Sequence, residues 1–176
     1  MSAARRFERL VLPHLDAAYN LARWLLADRA AAEDAVQEAA LRAFRYFDSA
    51  REESVRPWFL GIVRNTCFSH LESTRNRQEL GGYDEATLDA AHVAAGHSAP
   101  EPGRIVAGRQ ARAQIDAALR ALPPPLREVI VLRELEGLEY AEIARIAAIP
   151  VGTVMSRLAR ARERLRASLG TVGSEP

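Results

Sequence analysis

The sequence predicts an all-α protein, two small helical domains joined by a flexible linker, with a helix-turn-helix in the C-terminal domain. Three observations carry that expectation. Apolar residues recur at spacings of three and four through most of the chain, and β-strand alternation is nowhere convincing. A segment from Gly81 to Gly103 holds four acids and no arginine, is rich in Gly, Ala and Pro, and offers little apolar mass, as a tether does. The 176 residues also leave room for one or two folded units of roughly 100 to 150 residues each.

Taken in order, Phe7, Leu10, Val11, Leu15, Ala18, Tyr19, Ala22 and Leu25 form an amphipathic series that Pro13 kinks or restarts. A second helix is expected from about Arg29 to Phe47, with Ala32, Ala35, Val36, Ala39, Ala43, Phe44 and Phe47 turned inward. Its other face carries Glu33, Asp34, Gln37, Glu38 and Arg45. Pro57, a residue favoured at the first helical position, opens a third helix through Trp58, Ile62 and Leu71 to Arg75 and Arg77. Residues 1–80 thus read as one helical bundle, 81–103 as an acidic linker and 104–170 as a second domain. That second domain is expected to hold helices at Ile105 to Ala121, Leu126 to Leu135, Glu139 to Ala147 and Val151 to Ser168. The run Pro123-Pro124-Pro125 opens the second of these and Gly137 follows its end. Only Ala148, Ile149 and Pro150 separate the last two, which gives the short helix, tight turn and longer helix of a helix-turn-helix.

Composition narrows the function. Apolar residues make up 48% and charged residues 27%, ordinary values for a folded chain. All 24 basic residues are arginine, and 23 acids leave the total near neutral. The balance is uneven: 12 Arg against 11 acids in 1–80, none against 4 in 81–103, and 12 against 8 in 104–176. One cysteine, Cys67, allows neither an internal disulfide nor a cysteine-rich zinc site, and reads as a small buried residue. A charged stretch from Met1 to Leu10 is no signal peptide, and no apolar run approaches bilayer length, so the chain reads as cytoplasmic with no membrane insertion. His14 and His70 fall on helices, and His92 and His97 in the tether, none at ligand spacing with cysteines or paired carboxylates. With no glycine-rich phosphate loop and no nucleophile elbow, neither enzyme chemistry nor a cofactor is expected.

Two surfaces stand out. In the last helix Val154, Leu158, Ala161 and Leu165 follow the helical period, leaving Thr153, Ser156, Arg157, Arg160 and Arg164 toward solvent. From Pro150 to Ser168 there are five Arg and one Glu, a cationic strip with hydroxyls that suits the DNA major groove. Residues near the helix start would read base edges and later arginines would hold phosphate. In the second helix Asp34, Gln37 and Glu38, with Leu41 one turn on, make an acidic, amide-bearing strip that suits a basic protein partner better than nucleic acid. Either strip could instead be a plain solvated face, and Trp58, Phe59 and Phe68 could be core rather than base-stacking residues.

The strings Ala32-Glu-Asp-Ala-Val-Gln-Glu38, Arg56-Pro-Trp-Phe-Leu60 and Arg64-Asn-Thr66 resemble region two of the extracytoplasmic-function sigma factors of bacterial RNA polymerase. Ala121-Leu-Pro123, Arg127-Glu-Val129, Glu142-Ile-Ala144, Ile149-Pro-Val-Gly-Thr-Val-Met-Ser-Arg-Leu158 and Arg160-Ala-Arg162 are similar to region four. The resemblance implies a dissociable initiation subunit with no catalytic residue, no metal and no cofactor. By it, Asp34, Gln37, Glu38 and Leu41 dock on the clamp helices of the polymerase largest subunit, and the second domain meets the flap. Trp58, Arg64 and Asn65 recognise and help melt the minus-10 element, aided by the loop from Phe47 to Trp58. Gly152, Thr153, Ser156, Arg157 and Arg160 read the minus-35 element as duplex. An anti-sigma factor is an implied further partner.

This chain departs from the family pattern at Ser69 and Glu72, where an acid and then a base are usual, at Glu139 in place of a Ser or Thr cap, and at Ala148 where Gly is common. Glu72 would repel phosphate. Glu139 predicts some fraying, and Ala148 a left-handed residue at a cost of about 1 kcal/mol. A free-standing helix-turn-helix regulator remains the alternative from another class, although it leaves the acidic strip and the Trp58 region without a task.

Overall fold

The computed structural model describes residues 2–80 and 104–170. The acidic tether, with His92 and His97, lies outside the described residues. Among those described, every regular element is helical.

Helix α1 spans Ala3–Val11 and α2 spans Leu15–Leu26, with the 3₁₀ turn Leu12–His14 between them, so Pro13 restarts the helix as its missing N–H requires. Ser2 caps α1, its hydroxyl accepting from the Arg5 N–H. Ala27 closes α2 in the left-handed region at φ 56°. Asp28 then starts α3 (Arg29–Arg45), its carboxylate accepting from the Ala31 N–H at 2.7 Å. The inward stripe of α3 is Ala32, Ala35, Ala39 and Ala43, all fully buried against α2 and the long helix α4 (Val55–Leu80). Phe44 departs from expectation: it is 49% exposed, and it meets the bundle edge-to-face on Phe7 with ring centres 5.2 Å apart. The turns Phe47–Ser49 and Glu52–Ser54 lead into α4. Because the second of them runs straight into Val55, Pro57 is the third helical residue, not the first, and its absent N–H still falls in the unpaired first turn.

The second domain begins with α5 (Arg104–Ala121) and α6 (Pro124–Ile130), and Pro124 takes the first helical position. The helix continues through Val131–Leu135 with a widened, π-type turn in which the Glu136 N–H reaches the Val131 carbonyl at 3.1 Å. Gly137, at φ 65°, ends it in a conformation that favours glycine. Helix α7 (Tyr140–Ala147) does not start open: the Glu142 carboxylate accepts from the Glu139 N–H at 3.1 Å, one half of a capping box. Ala148 adopts the expected left-handed conformation at φ 54° and turns the chain into α8 (Val151–Gly170). There the N–H groups of Thr153 and Val154 bond the Pro150 carbonyl at 3.0 and 3.1 Å.

The two domains pack together. Helix α4 lies along α7 and α2 meets α6. Buried apolar residues from both domains, Leu21 and Phe59 with Leu132 and Ile143 among them, form one continuous cluster. At the crossing, Gly61 lets α4 approach Ile146 closely: a β-carbon built there would sit 3.8 Å from the Ile146 carbonyl oxygen.

Candidate functional site

In α8 the inward set is Val154, Leu158 and Ala161, all buried, with Leu165 half-buried against them. Fully burying a Val or Leu side chain contributes about 1.5–3 kcal/mol, enough to hold the orientation of the opposite face. On that face Gly152, Ser156, Arg160 and Arg164 are exposed. The Ser156 hydroxyl donates to the Thr153 carbonyl at 3.1 Å. Two residues expected in solvent are not fully there. Thr153 is half-buried, and Arg157 folds back to place Nη1 3.5 Å from Oε1 of Glu128. Arg162 pairs with Glu134 at 2.7 Å. Arg160, Arg164 and Arg166 have no ion pair among the described residues, so the free cationic strip is narrower than the arginine count implies.

On α3, Asp34, Gln37 and Leu41 are exposed, Leu41 by 61%. Glu38 is half-buried and already engaged, on Arg42 at 2.6 Å and beside the His70 ring at 3.2 Å. The strip therefore presents one free carboxylate, one amide and one apolar side chain, a pattern suited to a basic surface with an apolar notch.

The third group is split. Trp58 is half-buried, tilted against Phe47 with ring centres 6.4 Å apart, so it is part of the bundle wall. Asn65 is exposed. Arg64, its neighbour, faces the second domain. Its Nε and Nη2 donate to both oxygens of Glu128 at 2.7 and 3.1 Å, Nη1 donates to Asn65 Oδ1 at 3.3 Å, and the guanidinium lies 4.0 Å over the Phe68 ring.

Glu128 is fully buried, and burial pushes its carboxyl above the usual range, with the bonded Arg64 and then Arg157 pulling it back. Its neighbour Arg127 is buried without a carboxylate. It donates instead to four backbone carbonyls: Leu119 at 3.1 Å, Arg120 at 2.5 Å, Leu122 at 2.7 Å and Trp24 at 2.8 Å. The first three close the C-terminal end of α5 and the fourth belongs to the last turn of α2, so one guanidinium caps two helices across the domain boundary. Burial, and then the charge of Arg120, lower its affinity for the proton. Two further ties cross the boundary, Asn20 Nδ2 to Glu136 Oε1 at 2.6 Å and Arg56 Nη2 to the Glu136 carbonyl at 3.0 Å. Sequence reasoning missed this set. The available signal was the charged doublet Arg127-Glu128 at the head of the apolar run Val129 to Leu132, all four of which are buried.

No group of three or more His, Cys, Asp or Glu side chains among the described residues could hold a metal ion. No described helix is long and apolar enough to cross a membrane. Burial pushes the Cys67 thiol up to about 12.

Comparison with known proteins places both domains in one family. Residues 10–77 match Sigma-70 region 2, and residues 112–165 match Sigma-70, region 4. RNA polymerase sigma-H factor of Pseudomonas aeruginosa is 32% identical over 94% of this chain and 86% of its own length. ECF RNA polymerase sigma-E factor of Escherichia coli is 37% identical over 74% of this chain and 69% of its own. ECF RNA polymerase sigma factor SigE of Mycolicibacterium smegmatis is 33% identical over 99% of this chain, which spans 65% of that relative's length. Among solved structures, the sigma factor RpoE of Bartonella quintana, crystallised with the anti-sigma factor NepR, matches with a TM-score of 0.70 at 29% identity, over 94% of this chain and 98% of that one. With both regions matched in order and the helix-turn-helix where region four lies, the chain belongs to the ECF RNA polymerase sigma factors of the sigma-70 family.

Proposed function

We propose that this chain binds core RNA polymerase in the cytoplasm and directs it to promoters by reading the minus-10 and minus-35 elements, under the control of an anti-sigma factor. The observation that supports the reading is the occurrence in one chain of both sigma-70 regions, the second ending in a helix whose free face is Ser156, Arg160 and Arg164. In this reading Asp34, Gln37 and Leu41 meet the clamp helices, with Glu38 held between Arg42 and His70 at the edge of the contact. Asn65 and, once released, Arg64 meet the minus-10 strand, with Trp58 shaping the wall beside them. Gly152, Thr153 and Ser156 approach bases, while Arg160 and Arg164 hold phosphate. The chain supplies an address and the polymerase the chemistry. Run-off transcription with purified core polymerase on fragments selected from genomic DNA tests it. Selective initiation that needs this chain is expected, and transcripts no more selective than those of core polymerase alone would overturn it.

A further inference from the structure

Between α2 and α5 the surface opens into a cleft of about 340 Å³, at the lower end of the roughly 300–1,000 Å³ that small-molecule sites occupy. Its two walls follow from helical spacing. On α5, Arg112, Asp116 and Arg120 stand four residues apart and so share one face; on α2, Tyr19 and Arg23 do the same, with Trp24 beside them. Three guanidinium groups thus meet two aromatic rings and one carboxylate in one place. The promoter-reading and polymerase-docking readings use none of these residues.

The charges are out of balance. None of Arg23, Arg112 and Arg120 has an ion pair among the described residues, although Asp116 lies one turn from both α5 arginines. Glu136, held by Asn20 Nδ2 at 2.6 Å, pairs with none of them either. Behind the wall lies a fourth cation, the buried Arg127, which donates to the carbonyls of Trp24 at 2.8 Å and Arg120 at 2.5 Å and has no carboxylate of its own. The charge of Arg120 is felt there: after burial, it is the second cause that lowers the proton affinity of Arg127. Folding therefore gathers four arginines around one aspartate, a self-repelling arrangement that an anion seated in the cleft relieves. The Arg120 guanidinium lies 5.2 Å over the Trp24 ring, which orients it along the α2 wall while its N–H groups stay available.

We propose that this cleft binds a nucleoside phosphate, with the phosphate among Arg23, Arg112 and Arg120 and the base against Tyr19 and Trp24. Each part of the lining points to that class. Guanidinium forks match phosphate oxygens two at a time, and three arginines against one aspartate leave a surplus that suits the near-dianion of a phosphate monoester. Inorganic phosphate alone leaves Asp116 as a repelling neighbour, whereas a ribose hydroxyl or a base N–H gives that carboxylate a donor. The aromatic side chains answer the flat face of a base. A simple carboxylic acid satisfies the arginines and leaves the rings without a task. The site shares no residue with the proposed polymerase and promoter contacts, so it stands or falls independently of them.

The full-length chain is titrated at about 0.15 M salt by calorimetry, and by fluorescence in a Trp58→Phe background that leaves Trp24 as the reporting indole. The probes are AMP, ADP, GMP and GDP, the nucleosides adenosine and guanosine, inorganic pyrophosphate, and a short single-stranded oligonucleotide. At least one nucleotide is expected to bind and to change Trp24 emission, with its nucleoside, pyrophosphate and the oligonucleotide at least about tenfold weaker. Arg112→Glu and Arg23→Gln, at an exposed and a half-buried position, are each expected to weaken that nucleotide about tenfold or more, the scale of a charge-assisted hydrogen bond, with helix content unchanged. Arg145→Glu makes a charge change identical to that of Arg112→Glu at an exposed position of α7 outside the cleft, and is expected to leave affinity within about twofold. Asp116→Ala removes the acceptor for the nucleoside, so the preference for nucleotide over pyrophosphate is expected to shrink at least about fivefold. No nucleotide binding tighter than about 1 mM overturns the site. Pyrophosphate or the oligonucleotide binding as tightly as the best nucleotide also overturns it, as do equal losses for Arg112→Glu and Arg145→Glu. An unchanged preference in Asp116→Ala overturns the placement of the nucleoside.

Discussion

Replacing Arg160 by Ala and, separately, Arg157 by Ala separates an arginine free to meet phosphate from one held by its own protein. Arg160 is exposed and has no ion pair among the described residues, whereas Arg157 is half-buried beside Glu128. Each phosphate contact releases counterions and adds about 0.9 to the slope of log K against log salt. Losing one contact through counterion release alone therefore weakens duplex binding about fivefold at 0.15 M salt, and less as salt rises. The assay is binding of holoenzyme to a minus-35 duplex, titrated across the salt range. Arg160→Ala is expected to flatten the slope by about 0.9, and Arg157→Ala by clearly less, because its charge is already answered by a carboxylate. An unaltered slope for Arg160→Ala would show that α8 does not present this face to DNA. A full loss for Arg157→Ala would show that Arg157 leaves Glu128 on binding.

Reversing Asp34 to Arg together with Gln37→Ala, both at exposed positions, is expected to weaken assembly with core polymerase by about tenfold or more, roughly 1.4 kcal/mol, with helix content unchanged. Unchanged assembly in a binding titration counts against docking through α3. Arg127→Met removes four hydrogen bonds to backbone carbonyls, of which Leu119 keeps a second donor in the Leu122 N–H, and is expected to cost about 3 kcal/mol in denaturant unfolding; a change under about 1 kcal/mol would mean that water replaces the guanidinium freely. Cys67 gives a pH test. Its folded thiol is pushed up to about 12, so the unfolded chain ionises first and stability is lost as pH rises from the ordinary thiol range toward that value. At pH 10 the loss is about 2 kcal/mol relative to pH 7, and Cys67→Ala should abolish that difference; identical pH profiles for the two proteins would refute the burial argument.

How much of this was legible follows from what periodicity can encode. Spacing of apolar residues marked the inner faces of α2, α3 and α8, and the three residues Ala148, Ile149 and Pro150 marked the turn, because both are local properties of the chain. Phe44 and Arg157 were misjudged for the same reason in opposite directions. Periodicity states which way a side chain points and not what stands opposite. Near the end of α3 the edge of Phe7 leaves Phe44 half open to solvent, and beside α8 a buried carboxylate draws Arg157 in. The contact between domains left little trace beyond the Arg127-Glu128 doublet, since several of its polar ties run to backbone carbonyls of Trp24 and Glu136 and its apolar part joins stripes that each read as the core of one domain. A carbonyl acceptor has no residue signature. The widened turn at Val131–Leu135 likewise follows from a hydrogen-bond register that no composition marks.

The alanine stripe of α3 has a mechanical consequence. Ala32, Ala35, Ala39 and Ala43 have no side-chain rotamers, so along this stripe the helix rests on its neighbours through methyl groups and backbone, with Val36 packed beside it as a larger contact. Such a seat has one position. A single added methylene there has nowhere to go except into a tilt of the whole rod, swinging Asp34 and Leu41 away from whatever they oppose. If α3 docks as proposed, its buried side governs the bearing of its exposed one, and enlarging Ala39 by one carbon is expected to weaken assembly with core polymerase with no change in any exposed atom's chemistry.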